Sequence, residues 1–123
     1  MQYNQIVHID LPALDPLSGS EFYSQLFGWK IKSWPEYNYA TFEPEGGPGG
    51  GFPKMDGKEY RPGDVVVYVL TDDIEGTLTR IEALGGKTLR PRTSIDAASW
   101  YAFFADPSGN RVALYSDKGP VTV

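Results

Sequence analysis

The residues best suited to chemistry lie near the start of the chain. The only histidine, His8, stands two positions before Asp10 in the segment 6–11, where apolar and polar side chains alternate. Alternation with a period of two predicts a β-strand, so His8 and Asp10 share one face. A carboxylate on that face can orient the imidazole or raise its pKa, which makes the pair a candidate for acid–base catalysis.

Three other roles for His8 are compatible with the same pattern. It can be a half-buried strand residue that hydrogen-bonds a neighbour, a metal ligand, or a residue that orients a substrate without moving a proton. The sequence leaves these alternatives open.

The same alternation, extended to the other predicted strands, defines the side chains expected to line a cavity. Several tyrosines among few charges favour a flat or aromatic organic ligand, held by ring stacking and hydroxyl hydrogen bonds. For any single tyrosine, packing against a second subunit is the better explanation, but as a set the tyrosines favour a pocket. Arg92 can reach an anionic group, although a solvated arginine accounts for it as well. Besides His8 and Asp10, the predicted lining consists of Tyr39, Thr41, Val66, Tyr68, Tyr101, Phe103, Ala113 and Tyr115.

Composition narrows the classes of function. The 123 residues suit one domain, 1–123, and the 41% hydrophobic content is that of a folded protein. The absence of cysteine excludes disulfides and sulfur metal sites. A net charge of −5 and a pI near 4.7 argue against nucleic acid or an anionic membrane as a partner. No apolar run approaches a membrane span and the first residues lack signal-peptide features, so a cytoplasmic protein is expected.

The first half of the chain predicts a strand, a helix and three further strands. Asp15 can cap the helix with Pro16 at its first position, or Ser18 and Glu21 can form a capping box one turn later, and Gly28 can end the helix. Strands are predicted at 29–33 and 37–42. The glycine-rich stretch 44–52 is expected to be a flexible connection into a short fourth strand, because no Gly-Lys-Ser/Thr follows to make a phosphate-binding loop. The helical stripe of Phe22, Tyr23, Leu26, Phe27 and Trp29 is expected to pack in the core.

The second half predicts the same elements. A strand at 65–70 precedes a helix that Asp72 or Asp73 caps and Gly85-Gly86 end, followed by a strand at 87–90 and a loop at 91–99. The remaining segment, 100–115, predicts a β-hairpin with its turn at Asp106-Pro-Ser-Gly-Asn110. Alternation places Val112 and Leu114 on one side of the last strand, and Arg111, Ala113 and Tyr115 on the other.

The two halves are repeats of one another. Asp15 and Asp73 are 58 residues apart, and Gly28 and Gly85 are 57 apart. The predicted fold class is α+β, with two tandem βαβββ modules at about 1–58 and 62–118.

Four motifs in this order and spacing make nearly the whole chain resemble the vicinal oxygen chelate superfamily. That group includes glyoxalase I, extradiol dioxygenases, fosfomycin-resistance proteins and bleomycin-resistance proteins. The resemblance implies a curved mixed sheet around a cleft, with the helices outside, and a homodimer. The motifs are Val7-His-Ile-Asp-Leu-Pro followed by Asp15, Phe22-Tyr23 followed by Phe27-Gly28-Trp29, Thr71-Asp-Asp-Ile74 followed by Gly85-Gly86-Lys87, and Asp106-Pro-Ser-Gly-Asn110.

The resemblance also implies where a metal would bind. In metal-dependent relatives, the first and last strands of each module each carry one ligand. His8 matches the first position, whereas Val66 and Ala113 occupy the two positions of module two and cannot coordinate a metal. The remaining position is expected between residues 52 and 59, with Asp56 and Glu59 as the nearby acids. At most two of four ligands remain, and a catalytic site usually needs three from protein.

These observations favour a metal-free, glyoxalase-like protein that binds a small organic molecule. No cofactor is expected, and whether the protein also catalyses a lyase, isomerase or dioxygenase reaction is left open. One alternative is a metal-dependent isomerase or lyase of the glyoxalase type. Another is a dimeric interaction module without a ligand, with its tyrosine-bearing face buried between subunits.

Overall fold

The computed structural model describes residues 2–119, and in this range the chain forms two helices and eight strands. The fold class is α+β in two βαβββ modules, as predicted. Neither helix in the described range is long and apolar enough to cross a membrane. Module one contains β1 (Ile6–Asp10), α1 (Pro16–Phe27), β2 (Lys30–Trp34), a 3₁₀ turn (Pro35–Tyr37), β3 (Tyr39–Glu43) and β4 (Gly49–Gly51). Module two contains β5 (Val66–Leu70), α2 (Ile74–Ala83), β6 (Lys87–Asp96), β7 (Ser99–Ala105) and β8 (Arg111–Ser116).

The chain divides into two compact units. One is Val7–Val66, and the other runs from Val67 onward and includes the first few residues of the chain. Backbone hydrogen bonds hold these first residues to β5. The Asn4 amide donates to the Leu70 carbonyl (2.7 Å), and the Leu70 amide donates to the Gln5 carbonyl (3.0 Å).

In module one, the strands lie in the order β2-β3-β4-β1, with β1 and β4 parallel and the other neighbours antiparallel. Helix α1 packs on β2 and β3. The core on that side consists of buried Ala13, Ala40, Phe42 and Phe52. Asp15 caps α1 as predicted, because its carboxylate accepts a hydrogen bond from the Leu17 amide (3.3 Å).

The aromatic stripe of α1 does not pack in the core as a whole, which corrects the prediction. Tyr23 stacks on Trp29, with ring centroids 5.3 Å apart, and both pack against the core. Phe22, Leu26 and Phe27 are instead about 60% exposed. Helical spacing brings Phe22, Tyr23, Leu26 and Phe27 near one another on α1, but only the narrow strip that faces the sheet packs against the core.

The glycine-rich stretch supplies β4 itself, whereas the sequence predicted a strand after it. A Cβ added at Gly50 would overlap the Ile9 carbonyl and the Phe42 ring. Only glycine permits this close approach of β4 to its neighbours.

In module two, the strands lie in the order β5-β8-β7-β6, with β5 and β8 parallel and the other neighbours antiparallel. Asp73, rather than Asp72, caps α2, since its side chain accepts from the Gly76 amide (3.0 Å). The core between α2 and the sheet consists of Ile74, Leu78, Ala102 and Leu114.

Strand β6 continues through Pro91 to Asp96, so the loop predicted at 91–99 is wrong. Among the described strands, β6 pairs with β7 alone, and an edge strand tolerates a proline that donates no hydrogen bond. The register shifts between Arg90 and Thr93, which is where the proline lies. Because of the proline and this irregular register, the strand could not be predicted from the sequence.

The closing hairpin forms where the sequence predicted it. The Asp106 carboxylate accepts hydrogen bonds from the Ser108 and Asn110 amides (2.9 Å each) and from the Asn110 side chain (3.0 Å). These bonds, the one from the Asn110 side chain foremost, lower the pKa of Asp106 because they favour its charged form. Leu114 pairs with Ala102 and Ala113 with Phe103, so the predicted alternation along β8 holds.

This register predicts different costs for two neighbouring substitutions. Leu114 is buried against α2, so Leu114→Ala should lower the free energy of unfolding by about 2–5 kcal/mol. Ala113→Ser is the matched control and should cost much less, because it adds one small polar group on the opposite face. Urea unfolding of both variants compares them directly. A larger loss for Ala113→Ser than for Leu114→Ala would mean that the register is displaced by one residue.

Candidate functional site

His8 and Asp10 lie together on the face of module one that points away from α1. The His8 Nε2 atom lies 2.8 Å from Asp10 Oδ1. The Asp10 side chain is almost fully buried, and the His8 side chain is about one third exposed, at 31%. Their spacing of two on β1 produces this contact, as predicted from the alternation. When the ring is neutral, the carboxylate holds the proton on Nε2 and makes Nδ1 the basic nitrogen.

Tyr39 and Thr41 lie on the same face of module one, two strands away. Gly51 of β4 is in register with Asp10 on one side and with Thr41 on the other. A Cβ added at Gly51 would overlap the Tyr39 hydroxyl. Because Gly51 has no side chain, the Tyr39 hydroxyl lies directly over β4, the strand next to Asp10 of β1.

The surroundings of Tyr39 keep its phenol neutral. Burial raises the pKa of Tyr39 well above its usual value, and the negative charge of Asp10 and the nearby Tyr60 raise it further. A phenol held neutral donates a hydrogen bond. The cluster of His8, Asp10 and Tyr39 thus combines a carboxylate-held imidazole, which can accept a proton, with a hydroxyl that can donate a hydrogen bond to an oxygen.

Module two carries a second set of the predicted residues, on the side of its sheet opposite α2. In one row across the strands, Tyr68 is in register with Ala113, and Ala113 with Phe103. In the next row, Tyr101 is in register with Tyr115. The Phe103 ring meets the rings of Tyr101 and Tyr68 edge-on, with centroids 5.3 and 6.4 Å away. We call these five residues the aromatic face.

Two arginines border the aromatic face, and sequence reasoning missed them as site residues. The guanidinium of Arg111 lies 4.7 Å from the centroid of the Phe103 ring. Arg90 is in register with Phe103, and its guanidinium lies 5.9 Å from the centroids of both Phe103 and Tyr101. The alternation of β8 did place Arg111 on this side. Arg90 could not be assigned, because the irregularity of β6 was not recognised.

Arg92 lies apart from these two arginines, although the sequence offered it as a contact for an anionic group. Its Nε atom donates a hydrogen bond to Glu75 Oε2 of α2 (2.7 Å), and its guanidinium lies 5.8 Å from the Trp100 ring. Arg92 therefore contacts the helix side of module two.

The structure divides the predicted site residues between the two units. His8, Asp10, Tyr39 and Thr41 belong to the unit Val7–Val66, and the aromatic face belongs to the other. Val66, the first residue of β5, is fully buried. Within each unit, the predicted residues do share one side of the sheet.

The strand registers identify the fourth position at which metal-dependent relatives carry a ligand. In module two, Ala113 of β8 pairs with Tyr68 of β5. In module one, Gly51 of β4 pairs with Asp10 of β1. The sequence repeat aligns Asp10 with Tyr68, so the partners of these two residues are also equivalent. The equivalent of Ala113 is thus Gly51, not a residue between 52 and 59 as predicted. Asp56 instead closes a turn, where it accepts from the Lys58 and Tyr60 amides (2.8 and 3.0 Å).

The residues at these positions do not fit a metal ion. Only His8 has a donor atom, since glycine, valine and alanine occupy the other three positions. Residues 2–119 contain no cluster of three His, Asp or Glu side chains that could hold a metal ion. A catalytic metal site ordinarily has three protein ligands.

An apolar groove of about 310 Å³ lies elsewhere in module one, beside α1. Its one carboxylate, Asp15, is already used to cap the helix. The groove therefore lacks a polar group for chemistry comparable to the His8–Asp10 pair. Its lining is Pro12, Ala13, Leu14, Asp15, Ser18, Gly19, Phe22, Tyr23, Phe52 and Met55.

Comparison with known proteins agrees with this architecture. A glyoxylase-like domain-containing protein of Didymella fabae is 30% identical over 95% of this chain and 97% of its own length. The anthracycline biosynthesis protein DnrV of Streptomyces peucetius is 28% identical over 86% of this chain, which spans only 44% of that protein. A superfamily member from Vibrio splendidus superposes with a TM-score of 0.67 at 17% identity, over 92% of this chain and 98% of that one.

Residues 5–114 match the family model of the Glyoxalase/Bleomycin resistance protein/Dioxygenase superfamily, a span that includes both modules. The chain belongs to the glyoxalase/bleomycin resistance protein/dioxygenase superfamily.

Proposed function

We propose that this protein binds a small planar organic molecule on the aromatic face, without a metal ion. The observation that carries the proposal is the composition of that face. A sheet whose second side is simply exposed to water carries mainly polar residues there. Here, four aromatic rings surround the small residue Ala113 in two adjacent rows. Tyr68, Phe103 and Ala113 are buried, and the half-buried Tyr101 and Tyr115 offer the accessible ring surface. Rings with hydroxyl tips are suited to hold a flat ligand by stacking and by hydrogen bonds.

The relatives support a small organic ligand in general terms. The family is named after glyoxalases, dioxygenases and bleomycin resistance, and one relative is named for anthracycline biosynthesis. For this chain we infer only the class of ligand and no reaction, because proteins of one fold can have different activities.

Any proton transfer would be carried out by His8 and Asp10, with Tyr39 as a neutral hydrogen-bond donor. This assignment rests on the 2.8 Å contact between His8 and Asp10 and on the raised pKa of Tyr39. We regard acid–base catalysis as a second candidate function. A turnover that persisted unchanged in His8→Ala would rule out this role.

Ligand binding should respond to changes on the aromatic face more than folding does. Ala113→Phe should weaken the binding of a neutral aromatic probe such as 2-naphthamide by about tenfold or more, because Ala113 is fully buried between Tyr68 and Phe103 and a ring at this position displaces both of them. Tyr68→Phe should change the probe affinity more than the melting temperature. Calorimetric titration and thermal unfolding measure the two quantities.

Ala113→Ser is the control for this test, because it changes the same position with little added volume. It should bind 2-naphthamide nearly as well as the wild type. The proposed function is wrong if the wild type binds no small aromatic probe, or if Ala113→Phe binds 2-naphthamide as tightly as the wild type.

The protein should fold without a divalent cation, since only one of the four family positions has a donor atom. Elemental analysis for Zn, Fe, Mn, Ni and Co should find far less than one metal per chain, and a chelator should leave the melting temperature unchanged. His8→Ala, which removes the one remaining donor, should not alter the metal content. A stoichiometric metal whose removal unfolds the protein would instead support the metal-dependent alternative.

We also propose that the protein is a homodimer, as the family resemblance implies. Phe22, Leu26 and Phe27 of α1 present apolar side chains to solvent in the single chain, and a second copy can cover such surface. Sedimentation at high micromolar concentration should show a species of twice 13.6 kDa. A monomer under those conditions would contradict the proposal. Leu26→Glu should shift the distribution towards the monomer if α1 forms the contact.

A further inference from the structure

The face of module one that points away from α1 carries a row of polar residues across its strands. Lys32 of β2 is in register with Thr41 of β3. Gly51 of β4 is in register with Thr41 on one side and with Asp10 of β1 on the other. The Tyr39 hydroxyl takes up the space over Gly51. The row therefore contains an ammonium, two hydroxyls and a carboxylate, in this order.

The two hydroxyls of this row are available to a ligand. Tyr39 and Thr41 are both half-buried, and within residues 2–119 neither hydroxyl makes a hydrogen bond. Neither oxygen is sealed from solvent. Polar groups in the interior of a protein normally have a hydrogen-bond partner there. Burial raises the pKa of Tyr39, so its hydroxyl stays protonated and, like that of Thr41, can donate to a ligand over the strands.

Trp34 holds the positive charge at the open end of this row. The Nζ atom of Lys32 lies 4.9 Å from the centroid of the Trp34 ring. The Trp34 ring in turn lies against the Tyr39 ring, with centroids 6.2 Å apart. An ammonium over an aromatic ring keeps N–H donors on the side away from the ring. Lys32 is exposed and makes no ion pair in the described part of the chain, so these donors remain available beside the hydroxyls.

The charge of Asp10 does not prevent an anion from binding at the Lys32 end of the row. Neighbouring strands lie about 4.8 Å apart, so an anion over Thr41 is about 5 Å from β2 and about 10 Å from β1. Coulomb energy falls with distance, so attraction to Lys32 is about twice the repulsion from Asp10. His8 Nε2 lies 2.8 Å from Asp10 Oδ1, and a protonated imidazole offsets that carboxylate further.

We propose that Lys32, Thr41 and Tyr39 bind the carboxylate of a small organic acid. The hydroxyls of Thr41 and Tyr39 each donate a hydrogen bond to the carboxylate, and the Lys32 ammonium supplies the positive charge. The inference goes beyond the proposed function, because this site lies in the unit Val7–Val66 and uses no residue of the aromatic face. It also requires no proton transfer by His8.

Propanoate and propanamide, two probes of similar shape, test the charge requirement, and neither has a ring that could stack on the aromatic face. Backbone amide chemical shifts measured by NMR report both the affinity and the place of binding. Propanoate should bind about tenfold or more tightly than propanamide, since hydrogen bonds that involve a charged group contribute more. It should shift the amides of Lys32 and Thr41. In Lys32→Gln, the ratio of the two affinities should fall towards one.

Hydroxyl variants and a second lysine provide the controls. Thr41→Val and Tyr39→Phe each remove one donor and should weaken propanoate binding by about tenfold. Thr41→Ser keeps the hydroxyl and should restore most of the affinity that Thr41→Val loses. Lys30→Gln is the matched control for Lys32→Gln, because Lys30 is on the same face of β2 but in register with Glu43. It should leave the ratio of the two affinities nearly unchanged.

Equal wild-type affinities for the two probes would overturn the inference, as would equal effects of Lys32→Gln and Lys30→Gln. Shifts confined to amides outside β2 and β3, or no shift with propanoate at millimolar concentration, would overturn it too. Should a hydroxyl variant fail to fold, the two lysine variants decide alone, because both lysines are exposed. None of these outcomes alters the result expected with 2-naphthamide, so the inference and the proposed function fail separately.

Discussion

In each module a helix covers one face of the sheet, and this one-sided burial determines what the other face can do. Successive residues of a strand point to opposite sides, so a residue that packs against a helix has neighbours that face away from it. Leu114 packs under α2, and the adjacent Ala113 is in register with Tyr68 and Phe103. A slip of one residue would place tyrosines under the helix. The core and the aromatic face therefore depend on the same register.

Strand β4 shows how a local departure from the repeat changes the chemistry of a module. Gly51 and Ala113 are equivalent in strand register, and neither can bind a metal. The two small residues have different consequences. Ala113 lies among aromatic rings. At Gly51, the missing side chain leaves space for the hydroxyl of Tyr39, whose phenol is kept neutral by burial and by the charge of Asp10. Module one thus carries a histidine, a carboxylate and a phenol, and module two carries aromatic rings bordered by guanidinium groups.

The family to which the chain belongs accounts for its fold more fully than for its chemistry. Superfamily membership rests on a match to residues 5–114, and the order of helices and strands follows it. In module two, Arg90 and Arg111 lie on the face opposite the helix, against the Phe103 ring.

The sequence by itself determined those features that depend on nearby residues. The helix starts at Asp15 and at Asp72 or Asp73, the turn around Asp106 and the alternation that pairs His8 with Asp10 could all be predicted, because each depends on residues a few positions apart. The tertiary structure decided the rest. Only the pairing of strands distant in sequence showed that glycines form β4, that β6 continues through Pro91, and that Arg90 borders Phe103. Only packing showed that Phe22, Leu26 and Phe27 stay exposed, because helical spacing defines a stripe but not the width of the surface that covers it.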